Sequence, residues 1–350
     1  MKEAYQMLEI LSQHPQKLFI KATVIRVKGS SYRHEGAKML FFDNEKQFGT
    51  ISAGCLEEDL SYKAKEVMVT RKPMIVTYDL RSEDDLDWGM GAGCNGQIDV
   101  YLEPVQWDDT NKQILKHLNL GRKVASARVL EPVSQQMHLV LTEEGHTIGE
   151  IPKLQVHILE KLTEFFRNDQ LIITELIGKS KFIFELYEPN DKLFIFGAGP
   201  DVEPLVKLVK QYHFLPIIID PRSSRCNREV FPDAHSFICE HPERLIGNEN
   251  FDRNSYVLIM THSFIKDKKL VNYFIKKPPK YIGILGPKQR TERLVFPHYI
   301  PEWVHSPVGV NIFAEGPEEI SVSIVAELIK VRNEQRVLMK KQKKQQFRKH

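Results

Sequence analysis

Apolar positions along the chain keep two different rhythms, and the change falls near residue 190. In the first half, short β-patterned runs predict strands at residues 19–27, 39–42, 73–79, 98–102, 124–130 and 138–141, with further strands up to 186. Helical spacing predicts helices at residues 3–12, near 112–118 and near 153–166. The turn cluster Pro189-Asn190-Asp191 then predicts a boundary. Beyond it, short apolar runs at residues 193–196, 216–219, 236–239, 256–260, 281–285 and 303–305 alternate with helical stretches, as a parallel doubly wound sheet requires. The expected fold class is α/β: an N-terminal mixed α/β domain over residues 1–188, then a C-terminal Rossmann-like doubly wound parallel sheet over 189–330. A basic tail at 331–350 extends a helix that starts at Glu318.

The second half opens on a βαβ pattern. The run ending at Phe196 meets Gly197 and Gly199, helical spacing follows through Val202, Leu205, Val206 and Val209, and Asp220 closes the next strand. Backbone amides at such a glycine turn can hold a phosphate, and an acid in the position of Asp220 can meet a ribose hydroxyl. Val202 stands where a third glycine would be, and Asp201 and Glu203 place negative charge where a pyrophosphate favours positive potential. Ligands of such sheets bind beyond the carboxyl ends of the strands, which selects Asp220, Arg222, Thr261, His262, Gly286, Lys288 and Arg290. His262 is either a ligand contact or a structural histidine. Asp220 suits NAD, whereas Arg222 and Arg225 would accept the extra phosphate of NADP.

Composition changes this picture little. With 42% hydrophobic and 27% charged residues over 350 positions, the chain can bury real cores. The net charge of +3 hides an asymmetry: the last 20 residues carry +7 and the first 330 carry −4. A basic tail on a mildly acidic body does not amount to a nucleic-acid-binding domain. No membrane span and no signal peptide are evident, so a cytoplasmic protein is expected. Cys55, Cys94, Cys226 and Cys239 show no C-x-x-C spacing, which argues against a zinc site or a disulfide framework.

Candidate chemistry in the first half lies in three polar or glycine-rich connections. Residues 28–38, KGSSYRHEGAK, are longer and more cationic than a plain hairpin needs. Residues 49–60, GTISAGCLEEDL, put Cys55 after Gly54 at a strand-to-helix turn, where it is either a thiol favoured by the helix dipole or a small buried hydrophobe. Residues 88–96, WGMGAGCNG, put Cys94 after Gly93 in a similar setting, which suggests that both thiols face one pocket. Residues 98–186 look functionally quiet.

With these residues laid out, the chain resembles the XdhC/CoxI family of xanthine dehydrogenase accessory proteins over nearly its whole length. GSSYRHEGAKML, GTISAGCLEED and WGMGAGCNGQIDVYLEP look like the family's N-terminal blocks. FIFGAGPDV, DPRSSRCNREVFPDA, THSFIKD, YIGILGPKQRTERL and SPVGVNIFAEGPEEISVSIVAELI look like its Rossmann domain. The chain departs from the pattern at Asn95 and at Pro200, Asp201 and Val202.

The resemblance implies a maturation factor rather than a turnover enzyme. It would bind molybdenum cofactor (molybdopterin) transiently, take part in its sulfuration with a cysteine desulfurase, and deliver it to a xanthine-dehydrogenase-type molybdoenzyme. Arg33 and Lys38 would then pair with the cofactor's phosphate, Gly54 and Gly93 would offer backbone amides, and Cys55 and Cys94 would lie near the molybdenum. A homo-oligomer is expected, without nucleic acid or membrane as partner. The alternative is an NAD(P)-dependent oxidoreductase working on Gly197, Gly199, Asp220, Arg222 and His262; a third reading makes the second half a ligand-free docking or dimerisation module.

Overall fold

A computed structural model describes residues 3–43, 46–80, 96–131, 137–149, 155–168, 171–246, 251 and 253–346. The chain divides into two compact units, Met1–Pro189 and Asn190–His350.

The first unit runs α1 (Glu3–Gln13), β1 (Phe19–Gly29), β2 (Lys38–Phe41), β3 (Gln47–Gly49), α2 (Glu57–Thr70), β4 (Met74–Asp79) and β5 (Gly96–Val105). It continues through α3 (Asp109–Asn119), β6 (Val124–Glu131), β7 (His138–Thr142), β8 (Thr147–Gly149), α4 (Gln155–Asn168), β9 (Ile172–Ile177) and β10 (Ser180–Tyr187). Its strands form two antiparallel five-stranded sheets, ordered β3-β2-β1-β5-β4 and β8-β7-β6-β10-β9. The two orders are the same, and in each sheet a helix follows the third strand, so one topological unit occurs twice. Gly49 and Gly149 mark the correspondence. Both have positive φ, and a Cβ on either would strike the backbone carbonyl of Lys38 or His138 respectively, so only glycine fits. The register extends it to Glu103, opposite Lys21 on β1, and Glu185, opposite Ser126 on β6.

Alternation sends each strand's two faces to different neighbours. Ile20, Ala22, Val24, Met39, Val100 and Leu102 pack on Leu60, Ala64 and Val67 of α2, while Ala125, Ala127, Phe182 and Phe184 pack on Ile158, Leu162 and Phe165 of α4. The opposite faces meet each other. Phe19 and Leu40 join Val124, Val140 and Tyr187, and Ile25 and Tyr101 join Leu130 and Ile183. The same layer holds charge: Lys38 is ion-paired to Glu185, Arg128 to both Glu185 and Glu103, and Lys21 to Glu103 at 3.0 Å. Burial alone would raise both carboxyls; the cations outweigh it and hold both below the ordinary range. His138, in the same layer, is pushed down to about 3, first by burial and then by Arg128 and Lys21.

The second unit runs β11 (Asp191–Phe196), α5 (Val202–Gln211), β12 (Phe214–Ile219), β13 (Ser236–Ile238), α6 (Pro242–Leu245), β14 (Tyr256–Ile259) and α7 (Phe264–Lys276). It ends with β15 (Tyr281–Ile284), α8 (Lys288–Val295), β16 (Val304–His305) and α9 (Gly316–Gln346). All pairings of its sheet are parallel, in the order β13-β12-β11-β14-β15-β16, which is the doubly wound dinucleotide-fold arrangement. Helices α5 and α9 cover one face, and α6, α7 and α8 the other. Val202 is fully buried against α9 and the sheet, so the apolar contact of a valine replaces the close approach that a third glycine would permit. Among the described residues no helix is long and apolar enough to cross a membrane.

Candidate functional site

One end of the first sheet gathers the connections that the sequence singles out. There β1 ends at Gly29, β2 begins at Lys38, β3 ends at Gly49, β4 ends at Asp79 and β5 begins at Gly96. The end of β4 and the start of β5 lie side by side here, where the Leu80 N–H donates to the Gly96 carbonyl at 2.8 Å. Gly96 itself lies against the neighbouring connection, since a Cβ there would meet the carbonyls of Lys28 and Ser30. Cys94 and Gly93 lie outside the described residues, as does the expectation that the two thiols share a pocket.

Arg33 ties two of these connections. Its guanidinium donates to the Thr50 carbonyl at 3.2 Å and is ion-paired to Glu3 of α1. Tyr32 beside it is exposed. Lys38 is the correction. Expected to meet a phosphate, it is 3% exposed, with its ammonium on Glu185 between the sheets. Lys38 starts β2 at the loop end, but its side chain points into the layer between the sheets, where Glu185 takes the charge that a phosphate would need.

The turn at residues 50–56 is built around a carboxylate. Glu57 accepts from the backbone N–H groups of Ile51 (2.9 Å), Ser52 (2.8 Å) and Gly54 (2.8 Å), more distantly from Leu56 (3.3 Å), and from the hydroxyls of Thr50 (2.7 Å) and Ser52. Burial opposes its charge, yet these bonds hold Glu57 down to about 2. Main-chain amides that could have cradled a ligand anion thus hold the protein's own. Ala53 and Gly54 take positive φ to shape the turn, and nothing approaches the place of a Cβ on Gly54. Cys55 is carried on the outside of this turn as an exposed thiol, which settles its two sequence readings against a buried hydrophobe.

The second unit's candidate residues also come together, at the carboxyl ends of β11, β12 and β14, but with their polar groups joined to one another. Asp220 accepts from the Ala198 N–H at 3.0 Å and from Arg222 at its backbone N–H, Nε and Nη2 (2.8–2.9 Å). Burial works against the Asp220 charge and the Arg222 bonds overcome it, leaving the carboxyl below its usual range. Across the turn the Asp201 carboxylate lies 2.9 Å from His262 Nε2, and Arg225 joins the Ala198 carbonyl (2.8 Å) to Glu203 (2.6 Å). Gly197 is required where it stands, because with positive φ a side chain would strike the Met260 carbonyl. Among the described residues no cluster of three or more His, Cys, Asp or Glu could hold a metal ion.

Sequence reasoning missed Arg128, His138, Glu103 and Glu185, all within the stretch read as quiet. The available signal was the polar residue at alternate positions of otherwise apolar strands, as in FIFELY, where Glu185 shares its face with Ile183 and Tyr187.

Comparison with known proteins places these features in a group. Residues 13–79 match the XdhC and CoxI family, and residues 193–328 match the XdhC Rossmann domain. A Bacillus subtilis protein described as a probable subunit of xanthine dehydrogenase is 34% identical over 330 residues, covering 94% of this chain and 97% of that protein. A solved structure from Bacillus halodurans, described as a xanthine dehydrogenase, superposes with a TM-score of 0.82 at 38% identity, covering 95% and 96% of the two chains. An uncharacterized Escherichia coli protein, YqeB, is 25% identical over 167 residues, 30% of its own length.

Proposed function

Because the chain belongs to the XdhC and CoxI family, we propose that it is an accessory protein that receives molybdenum cofactor at the loop end of its first sheet and passes it to a xanthine-dehydrogenase-type enzyme. The observation that carries this reading is the exposed Cys55 thiol on a turn hydrogen-bonded to Glu57, beside connections that all leave from one sheet end. A thiol is a soft donor suited to a soft metal centre, which is the chemistry the cofactor would supply there. The residues fit that half of the cofactor better than its phosphate. Lys38 is buried, Arg33 is engaged with Glu3 and Thr50, and the turn amides face Glu57. Arg33 is therefore a positioning residue that joins the Tyr32 and Cys55 connections. Sulfuration by a cysteine desulfurase belongs to the same proposal: Cys55 would stand beside the exchangeable sulfur while the turn held it in place.

Cys55→Ala is expected to leave folding unchanged, because the side chain is exposed, and to lower the pterin retained on purification about tenfold, the scale of a lost metal support. Pterin fluorescence of the denatured, oxidised protein reads this directly. Retention equal to wild type, with a native circular dichroism spectrum, would remove Cys55 from the proposal.

For the second unit we propose a scaffold rather than a nicotinamide site. NADH and NADPH titrations are expected to show no saturation in wild type, because a ribose would have to displace Arg222 from Asp220. Saturable binding, read by fluorescence or calorimetry, would instead support the oxidoreductase.

A further inference from the structure

Cys226 and Cys239 lie 13 positions apart but meet at the carboxyl ends of neighbouring strands. Ile219 of β12 pairs with Ile238 of β13, so Cys239 is the first residue beyond that pair, while the chain after β12 turns back at Arg222 to present Cys226. The Cys239 thiol donates to the Cys226 carbonyl at 3.1 Å, and the Cys226 thiol points under the sheet to the Ile218 carbonyl at 3.5 Å. One thiol is exposed and the other is buried in the core, and the exposed one is bonded to the main chain of the residue that carries the other.

We propose that Cys226 and Cys239 are a redox-modification site, an attacking and a resolving thiol that a peroxide closes to an intramolecular disulfide. Exposure makes Cys239 the first to react. Its thiolate attacks one peroxide oxygen, the O–O bond breaks, and Cys239 becomes a sulfenic acid as hydroxide leaves and takes a proton. The Cys226 sulfur then attacks the Cys239 sulfur, the S–O bond breaks, and the departing hydroxyl leaves as water with the Cys226 proton. Two thiols lose two electrons, and hydrogen peroxide, gaining them, becomes two waters. Burial, with the neighbouring Cys239 thiol second, pushes the Cys226 thiol up to about 12, which fits a sulfur that waits for its partner rather than meeting oxidant itself.

The bond would also reach the mouth of the glycine turn. Arg222 and Arg225, which hold Asp220, Ala198 and Glu203, belong to the same short turn as Cys226, whose N–H donates to the Arg222 carbonyl at 2.8 Å. Oxidation would pin this turn to the end of β13, so the redox state and the bracing of the turn are coupled.

The test is a peroxide titration of the full-length reduced protein, followed by thiol blocking, non-reducing tryptic digestion and mass spectrometry. The expected product is residues 226–228 linked to residues 229–244, with two hydrogens lost and both thiols recovered by dithiothreitol. Cys239→Ser should abolish the link. Cys226→Ser should leave a Cys239 sulfenic acid that dimedone captures several-fold more than in wild type. The proposal is overturned if Cys239 proceeds to sulfinic or sulfonic acid while Cys226 stays alkylatable, if the link forms to Cys55 or Cys94 instead, or if dimedone labels wild type and Cys226→Ser alike.

Discussion

Glu185→Gln is expected to destabilise the first unit by about 3–5 kcal/mol, the cost of leaving buried charge without its partner. The glutamine would keep the shape but remove the charge that faces both Lys38 and Arg128, and Glu103 alone would then stand against Lys21, Lys38 and Arg128. Hydrogen exchange of the full-length chain, followed on peptides from β6 and β10, should show protection lost there while peptides of the second unit are unchanged. Replacing Glu185 and Lys38 together with apolar residues of similar size should recover much of the loss, since a buried pair swapped whole is often neutral. A Glu185→Gln protein as protected as wild type would show that the layer between the sheets is not held by these ions.

Acid should act on the same layer. His138 has its folded pKa at about 3, far below the ordinary histidine value, so between these limits the unfolded chain binds a proton that the folded chain refuses. The lowered carboxyls add in the same direction at lower pH. Stability of the first unit is therefore full above about pH 6.5 and falls as the pH drops toward 3.

How much of this was written legibly in the sequence depends on the range of the interaction. The run from Leu193 to Asp220 announces its βαβ unit because glycines, apolar periodicity and closing acid all lie within one local window. Lys38 and Glu185 are 147 positions apart, and no local pattern joins them; a lysine in a cationic loop reads as a ligand contact until its strand register is known. The duplicated topology was hidden for a related reason. Corresponding positions share geometry rather than identity: Gly49 and Gly149 do the same work, but Lys38 answers to His138, and strands as short as β3 and β8 leave no periodicity to read. In the second unit the residues of the glycine turn were found by position, while their use was not. Asp220 was legible as the acid at the strand end, but its engagement by Arg222 two residues later is a side-chain choice that spacing does not reveal.

The turn at residues 50–56 makes the same point and yields the other large expected effect. Thr50, Ser52, Gly54 and Glu57 are all visible as turn and cap residues, and an acid in the first turn of a helix is ordinarily assigned to the helix dipole. Here Glu57 instead reaches backward and is the centre on which the preceding loop folds. Glu57→Ala should cost about 3 kcal/mol or more, because several buried donors lose their acceptor at once. Glu57→Gln should cost less, since one amide oxygen still accepts. The pH dependence follows from the sign of the shift. Glu57 is held at about 2 in the folded chain against about 4.5 unfolded, so its contribution is complete above about pH 4.5 and is lost as the pH falls toward 2. The local readouts are hydrogen exchange at amides 51–56 and pterin retention, compared between wild type and Glu57→Ala. If the turn holds the thiol in place, the variant should show rapid loss of protection at amides 51–56 and a pterin retention as low as that of Cys55→Ala, although its own thiol is intact. Wild-type protection and retention in Glu57→Ala would mean that the turn keeps its shape without the carboxylate, and the positioning of Cys55 would need another cause.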